Sequence, residues 1–193
     1  MAKADSIAPF PLDIDRDSFG HWLSGFADAE ATFGLWMIKA SDQRSTRPTA
    51  KFTIALRQDD VRSLQTIQSY WQCGTIHPEC NLRPTVKNAK PVAVLSVQKS
   101  EDLACIVIPH FEKYPLRTKK KDDFEIWKRG VRLKFMVSRR RSTGTARAGV
   151  RGGITGMFSK WTISERDQFT LLADLIKKQR SYRPTWVTLH PSI

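Results

Sequence analysis

The sequence predicts an α+β fold. One antiparallel sheet carries helices on one face, in the order helix, strand, strand, helix, strand, strand, helix, with a helical extension at the C-terminus. Three observations predict it. Large apolar residues recur at three- and four-residue spacing in four segments: Phe19, Trp22, Leu23 and Phe26; Val61, Leu64, Ile67 and Trp71; Leu103, Ile106 and Val107; Phe124, Trp127, Val131 and Phe135. Between them, the stretches 32–38, 51–57 and 92–98 alternate side-chain character with the period of a strand. The strands come in pairs joined by polar, turn-rich loops, which suits hairpins of an antiparallel sheet covered by helices.

Residues 1–16, with Pro9 and Pro11, read as an irregular lead-in. Asp17 or Ser18 is the expected N-cap of a helix that ends at Glu30. Beside its apolar face lies a stripe of little bulk: Ser24, Gly25, Asp28 and Ala29. In the strand that follows, Phe33, Leu35 and Met37 point one way and Thr32, Gly34, Trp36 and Ile38 the other. A polar loop at 41–49 leads to a second strand with Phe52, Ile54 and Leu56 facing the core. A helix then starts at Asp59 or Asp60 and is stopped by Gly74. A short strand at 75–77, a loop at 78–91 and a strand with Ala93, Leu95 and Val97 inward come next. Ser100 with Glu101 caps a helix to about Phe111. Tyr114-Pro115-Leu116 breaks the chain, and the next helix begins near Thr118. The core thus spans 17–137. Residues 138–153 are rich in Arg, Gly, Ser and Thr, without an acid, and read as a flexible basic segment. The extension, 154–193, contains a helix opened by Thr162-Ile163-Ser164-Glu165, with Phe169, Leu172, Leu175 and Ile176 on one face.

At 193 residues the chain is one domain with an appendage, and its formal net charge of +13 points to a polyanionic partner. No apolar run is long enough to span a membrane, and residues 1–16 lack the layout of a signal peptide, so the expectation is a soluble intracellular protein of a bacterial or archaeal cytoplasm or of an organelle. The three cysteines, Cys73, Cys80 and Cys105, read as reduced thiols. Cys73, His77 and Cys80 lack a fourth ligand for structural zinc. The sheet face away from the helices would present Thr32, Trp36, Lys51, Thr53, Arg57, Thr75, Ser96 and Gln98, a polar, basic, concave surface of the kind duplex DNA needs. Arg44, Arg47, Arg117, Lys121, Arg139, Arg140 and Arg141 are further candidates for DNA contact.

Two acids, Asp28 and Glu30, sit where the first helix ends, an electrostatically poor place that calls for donors or a metal ion. Leu23-Ser24-Gly25-Phe26-Ala27-Asp28-Ala29-Glu30-Ala31 resembles the motif of the LAGLIDADG homing endonucleases, with Ala31 where that family has glycine. The resemblance extends over most of 17–136 through Phe52-Thr53-Ile54-Ala55-Leu56-Arg57, His110-Phe111-Glu112-Lys113-Tyr114-Pro115-Leu116, and Lys120 with Asp123-Phe124. It implies a site-specific, double-strand DNA endonuclease. Glu30 and the carbonyl of Ala29 would bind magnesium, with manganese substituting and calcium binding without cutting. Lys120, or Lys119 one register away, would be the basic catalytic residue, and Arg57 or Gln58 would orient a water. No second copy of the motif follows, so the chain would act as a homodimer joined across Ser24, Gly25, Asp28 and Ala29, with Asp28 accepting backbone N–H bonds across the helix pair. Two other readings use the same fold and charge: a maturase that binds intron RNA, and a DNA-binding protein that no longer cuts.

Overall fold

The computed structural model describes residues 7–39, 46–78, 91–143 and 161–181. The expected order of elements is present. Helix α1 (Arg16–Glu30) runs into β1 (Ala31–Lys39), which pairs with β2 (Thr46–Arg57). Helix α2 (Val61–Trp71) leads to β3 (Thr75–Pro78) and β4 (Val92–Val97). A continuous helical run follows: α3 (Ser100–Asp102), a π-helical turn (Leu103–Val107) and α4 (Ile108–Lys113). Helices α5 (Lys120–Thr143) and α6 (Ile163–Ser181) complete the chain.

The sheet is antiparallel throughout, in the order β1-β2-β4-β3. Its inward rows are the expected ones: Phe33, Leu35, Phe52, Ile54, Leu95 and Val97 are buried against Leu23 and Ala27 of α1, Leu64 and Ile67 of α2, and Trp127 of α5. Phe169, Leu172 and Ile176 of α6 join the same core, so the C-terminal helix packs back onto the domain. Its start is the capping box that Thr162 and Glu165 predicted: Thr162 Oγ1 accepts from the Glu165 N–H at 3.2 Å, and the Glu165 carboxylate accepts from the Thr162 N–H at 3.0 Å. Arg180 ties its far end down, donating to the Phe33 carbonyl at 2.6 Å and to Asp123 at 3.1 Å.

Several boundaries differ from the sequence reading. The N-cap of α1 is Asp15, whose carboxylate accepts from the Ser18 N–H at 2.7 Å, because Asp17 is taken up by Lys113 and the Tyr114 hydroxyl. The lead-in is irregular but packed: Phe10 meets Phe19 and Tyr70 edge-on. Helix α2 is capped by Gln72, held left-handed at φ 52°, and Gly74 lies beyond it at φ 89°. The Gln72 side chain bonds the carbonyls of Ala8 and Ser69, and these contacts offset the cost of that backbone. Lys99, not Ser100, is the N-cap of α3. The π turn just ahead of Pro109 widens the helix where a proline ring would otherwise meet a carbonyl one turn back. Helix α5 continues to Thr143, so the first residues of the expected flexible segment are helical, while 144–153 lies outside the described residues.

One buried group makes the fold acid-sensitive. His110 is 6 % exposed among the rings of Trp71, Phe111 and Tyr114. Burial, with Lys113 nearby, lowers its pKa from 6.5 to about 3. The folded chain therefore keeps it neutral where the unfolded chain takes up a proton. Its contribution to stability is complete above pH 6.5 and is lost as pH falls toward 3. Wild type is expected to lose about 2 kcal/mol more than His110→Gln between pH 6.5 and 4.5 in urea titrations. Parallel pH dependences in the two proteins would contradict this.

Candidate active site and nucleic-acid face

The C-terminal end of α1 carries partial negative charge on its last carbonyls, of which Ala27's also accepts from the Ala31 N–H, and the chain brings a cation to them. Lys120, at the start of α5, donates its ammonium to the carbonyl of Ala29 at 2.8 Å and to that of Ala27 at 3.1 Å. Burial holds its pKa below the usual lysine range, opposed by the charges of Glu30, Asp28 and Asp123. Glu30 is exposed beside this contact, and the neighbouring Lys119 is exposed too. Ala31 has ordinary extended geometry, φ −79° and ψ 155°, so the backbone does not require glycine there.

Among the described residues no group of three or more His, Cys, Asp or Glu is placed to hold a metal. One chain offers the Glu30 carboxylate and the helix-end carbonyl of Ala29. That carbonyl already receives a cation in the form of the Lys120 ammonium. Both donors are oxygens, so the set fits a hard cation that takes waters and phosphate oxygens as its other ligands. Of the cysteines, Cys73 is buried, with its thiol pushed up to about 12, Cys105 is exposed, and Cys80 lies outside the described residues.

The small-residue stripe of α1 does not face one way. Ser24 is 4 % exposed and donates to the Tyr114 carbonyl at 2.6 Å. Asp28 accepts from the Arg117 N–H at 2.8 Å, the Thr118 N–H at 3.3 Å and the Thr118 hydroxyl at 2.7 Å. Within the chain, Asp28 thus finds its donors at the 117–118 turn. At the first turn, Asp17 holds Lys113 and the Tyr114 hydroxyl, and Gly20 is glycine because a methyl there would overlap the Tyr114 ring. Residues 110–120 are thereby stitched along one flank of α1. The opposite flank is open. Ser18, Trp22, Gly25 and Ala29 are exposed at helical spacing, Trp22 stacks on Phe26, and a Cβ on Gly25 would meet nothing within 4 Å. Of the four residues expected at a dimer seam, Gly25 and Ala29 are exposed, and Ser24 and Asp28 are hydrogen-bonded inside the chain. Trp22, read from the sequence as part of the apolar helix face, is 45 % exposed, and Thr118 is an Asp28 partner that the sequence did not single out.

The strand register puts Thr32, Thr53, Ser96 and Thr75, one from each strand, in a single row across the outer sheet face. Ala55 and Arg57 run past the start of β1, at the end where Glu30 lies. In the other direction come Lys51 opposite Gly34, Thr49 opposite Trp36, and Arg47 opposite Ile38. Thr32, Trp36, Arg47, Thr75, Gln98, Arg117 and Lys121 are exposed, and Lys51 and Thr53 are half-buried. Ser96 is not available as expected: at 4 % exposure it is covered between the threonines on either side. Arg57 is paired with Asp59. Arg140 is paired with Glu165, so it anchors α6 instead of belonging to a free basic segment, and Arg139 lies over the Phe135 ring. Arg44 and the Arg141 side chain fall outside the described residues. No described helix is long and apolar enough to cross a membrane.

Comparison with known proteins bears on the fold and the family. The chain is 34 % identical over 113 residues to a probable intron-encoded endonuclease 2 of Neurospora crassa, covering 58 % of this chain and 24 % of that protein. The chain spans about a fifth to a quarter of the length of the curated relatives it matches. Among solved structures it is similar to the LAGLIDADG homing endonuclease I-SmaMI bound to cleaved DNA, with a TM-score of 0.60 and 18 % identity over 83 % of this chain and 44 % of that one. It is also similar to the homing endonuclease I-TnaI, with a TM-score of 0.58 and 19 % identity over 88 % of this chain and 97 % of that one. At such identities the likeness is one of fold. The sequence profile of the LAGLIDADG endonucleases matches residues 23–131, more than half of the chain, and the chain belongs to that family.

Proposed function

We propose that the chain is a homing endonuclease that binds a long duplex DNA target as a homodimer and hydrolyses both strands with a divalent metal. The observation that carries this reading is the placement of Glu30. Its carboxylate is exposed at the end of α1, beside a lysine seated on the helix-end carbonyls and at the rim of the outer sheet face. Glu30 and the Ala29 carbonyl would hold magnesium, with manganese able to replace it and calcium supporting binding without cutting. When bound, the ion supplies Lewis-acid stabilisation of the reacting phosphate and a more acidic water.

The chain's own residues do the rest. Lys120, already lowered in pKa by burial, offers an N–H donor to charge developing at the phosphate. Asp28 fixes the Arg117-Thr118 turn and thereby the start of α5, which carries Lys120. Arg47, Lys51, Arg117 and Lys121 contribute positive charge along the duplex. Because each copy supplies one Glu30, two copies joined along the open flank of α1 supply one carboxylate per strand. The test is cleavage selection from a randomised duplex library with magnesium, run beside calcium. One long site cut on both strands with magnesium, and bound intact with calcium, is expected. Failure to cut any duplex, with preferential binding of structured RNA, would overturn the reading in favour of a maturase.

A further inference from the structure

Gly34 stands in the middle of β1, where glycine weakens a strand. The reason is on the outer face. A methyl group at Gly34 would overlap the benzo ring of Trp36. The two residues have the same parity on the strand, so the indole folds back along β1 and lies over the glycine. It remains 38 % exposed there, on a face otherwise built of Thr32, Thr53, Lys51 and Arg47. Lys51 lies directly across from Gly34 and Thr49 across from Trp36. Ile38, 45 % exposed, continues the apolar surface outward. Lys177 and Asp174 of α6 line the same groove as Trp36 at the edge of the sheet. With one ring face committed to the strand, the indole cannot slip between bases. What it offers is a flat apolar plate bordered by a lysine.

We propose that this plate is a specificity contact that reads the 5-methyl group of a thymine in the major groove, one in each half of the target. The inference rests on the nuclease reading above and adds to it a base and a position. The thymine methyl is the apolar group on the major-groove edge, and contact with it separates thymine from cytosine and from uracil. The indole seated over Gly34 is four residues along the strand from Glu30, about 13 Å at strand rise. At 3.4 Å per base pair, that places the thymine about four base pairs outward from the point Glu30 faces.

The test uses the full chain and its selected duplex in calcium. Each thymine of the half-site is replaced singly by deoxyuridine, and binding is measured with wild type, Trp36→Ala and Gly34→Ala. For wild type, one position in each half, about four base pairs outward from the point Glu30 faces, is expected to weaken binding about three- to ten-fold on loss of its methyl. The two variants should bind the thymine and deoxyuridine duplexes equally. The wild-type measurement needs no mutant to fold. A selected site without thymine there, wild-type binding indifferent to every methyl, or a methyl effect that persists in Trp36→Ala would overturn this inference and leave the nuclease reading standing. A wild-type protein that retains no duplex would overturn both.

Discussion

Glu30→Gln is expected to abolish strand cutting while leaving duplex binding and folding intact. The substitution keeps the size of the side chain and removes the one full negative charge that a single chain places at the exposed end of α1 for a cation. Glu30 makes no contact that holds the core together, since it is exposed and the hydrogen-bonded acid of the motif is Asp28. The cutting rate on the selected duplex in magnesium should fall by at least about 10³-fold, the scale seen when charge stabilisation of a reacting centre is removed. Affinity in calcium, measured by fluorescence anisotropy, should change by less than about three-fold, because duplex affinity comes chiefly from phosphate contacts elsewhere. Mixing wild type with the variant should yield nicked duplex, one strand cut and one intact. A variant that still cuts, or one that loses the duplex, would contradict the role given to Glu30.

Gly25→Arg is the second large effect, and it separates the open flank of α1 from the fold. Inside one chain the position is open: a Cβ added there meets nothing within 4 Å. Arginine also forms helix better than glycine, so the folded monomer should gain up to about 1 kcal/mol. Between copies the outcome is opposite. A twofold seam brings the same residue of both chains together, so the variant places two bulky cations where backbone was to approach backbone. Dimerisation should weaken by on the order of 100-fold or more, since unrelieved like charges across an interface cost several kcal/mol. Cutting should fall with it, while thermal unfolding stays at or slightly above the wild-type temperature. Ser24→Ala is the contrast. It removes the hydrogen bond from the Ser24 hydroxyl to the Tyr114 carbonyl and so should lower stability within the chain without acting directly across the seam.

The contrast between Ser24 and Gly25 also shows where the sequence was legible. Alternation along 31–38 and 51–57 reports on one strand at a time, and the structure kept those inward and outward rows. Glu30 lies at the end of α1, where the motif puts it, whereas Lys120 reaches the same helix end from about ninety residues along the chain, on α5. What the sequence could not resolve was decided by partners far along the chain. Asp15 caps α1 because Asp17 is drawn to Lys113 and Tyr114. Gln72 turns left-handed because its side chain reaches Ala8 and Ser69. Arg140 stops being a free cation because Glu165 meets it. Ser24 and Asp28 look like Gly25 and Ala29 in a list of small and polar residues. Only the path of 110–120 along α1 tells which pair faces inward.

Two copies meeting along Trp22, Gly25 and Ala29 would bring one Glu30 each to a single duplex. Sedimentation equilibrium of the wild-type chain, alone and on its selected duplex in calcium, tests this most directly. Two chains per particle in both states, reduced to one by Gly25→Arg in the absence of DNA, is the predicted result. One wild-type chain per duplex would contradict it.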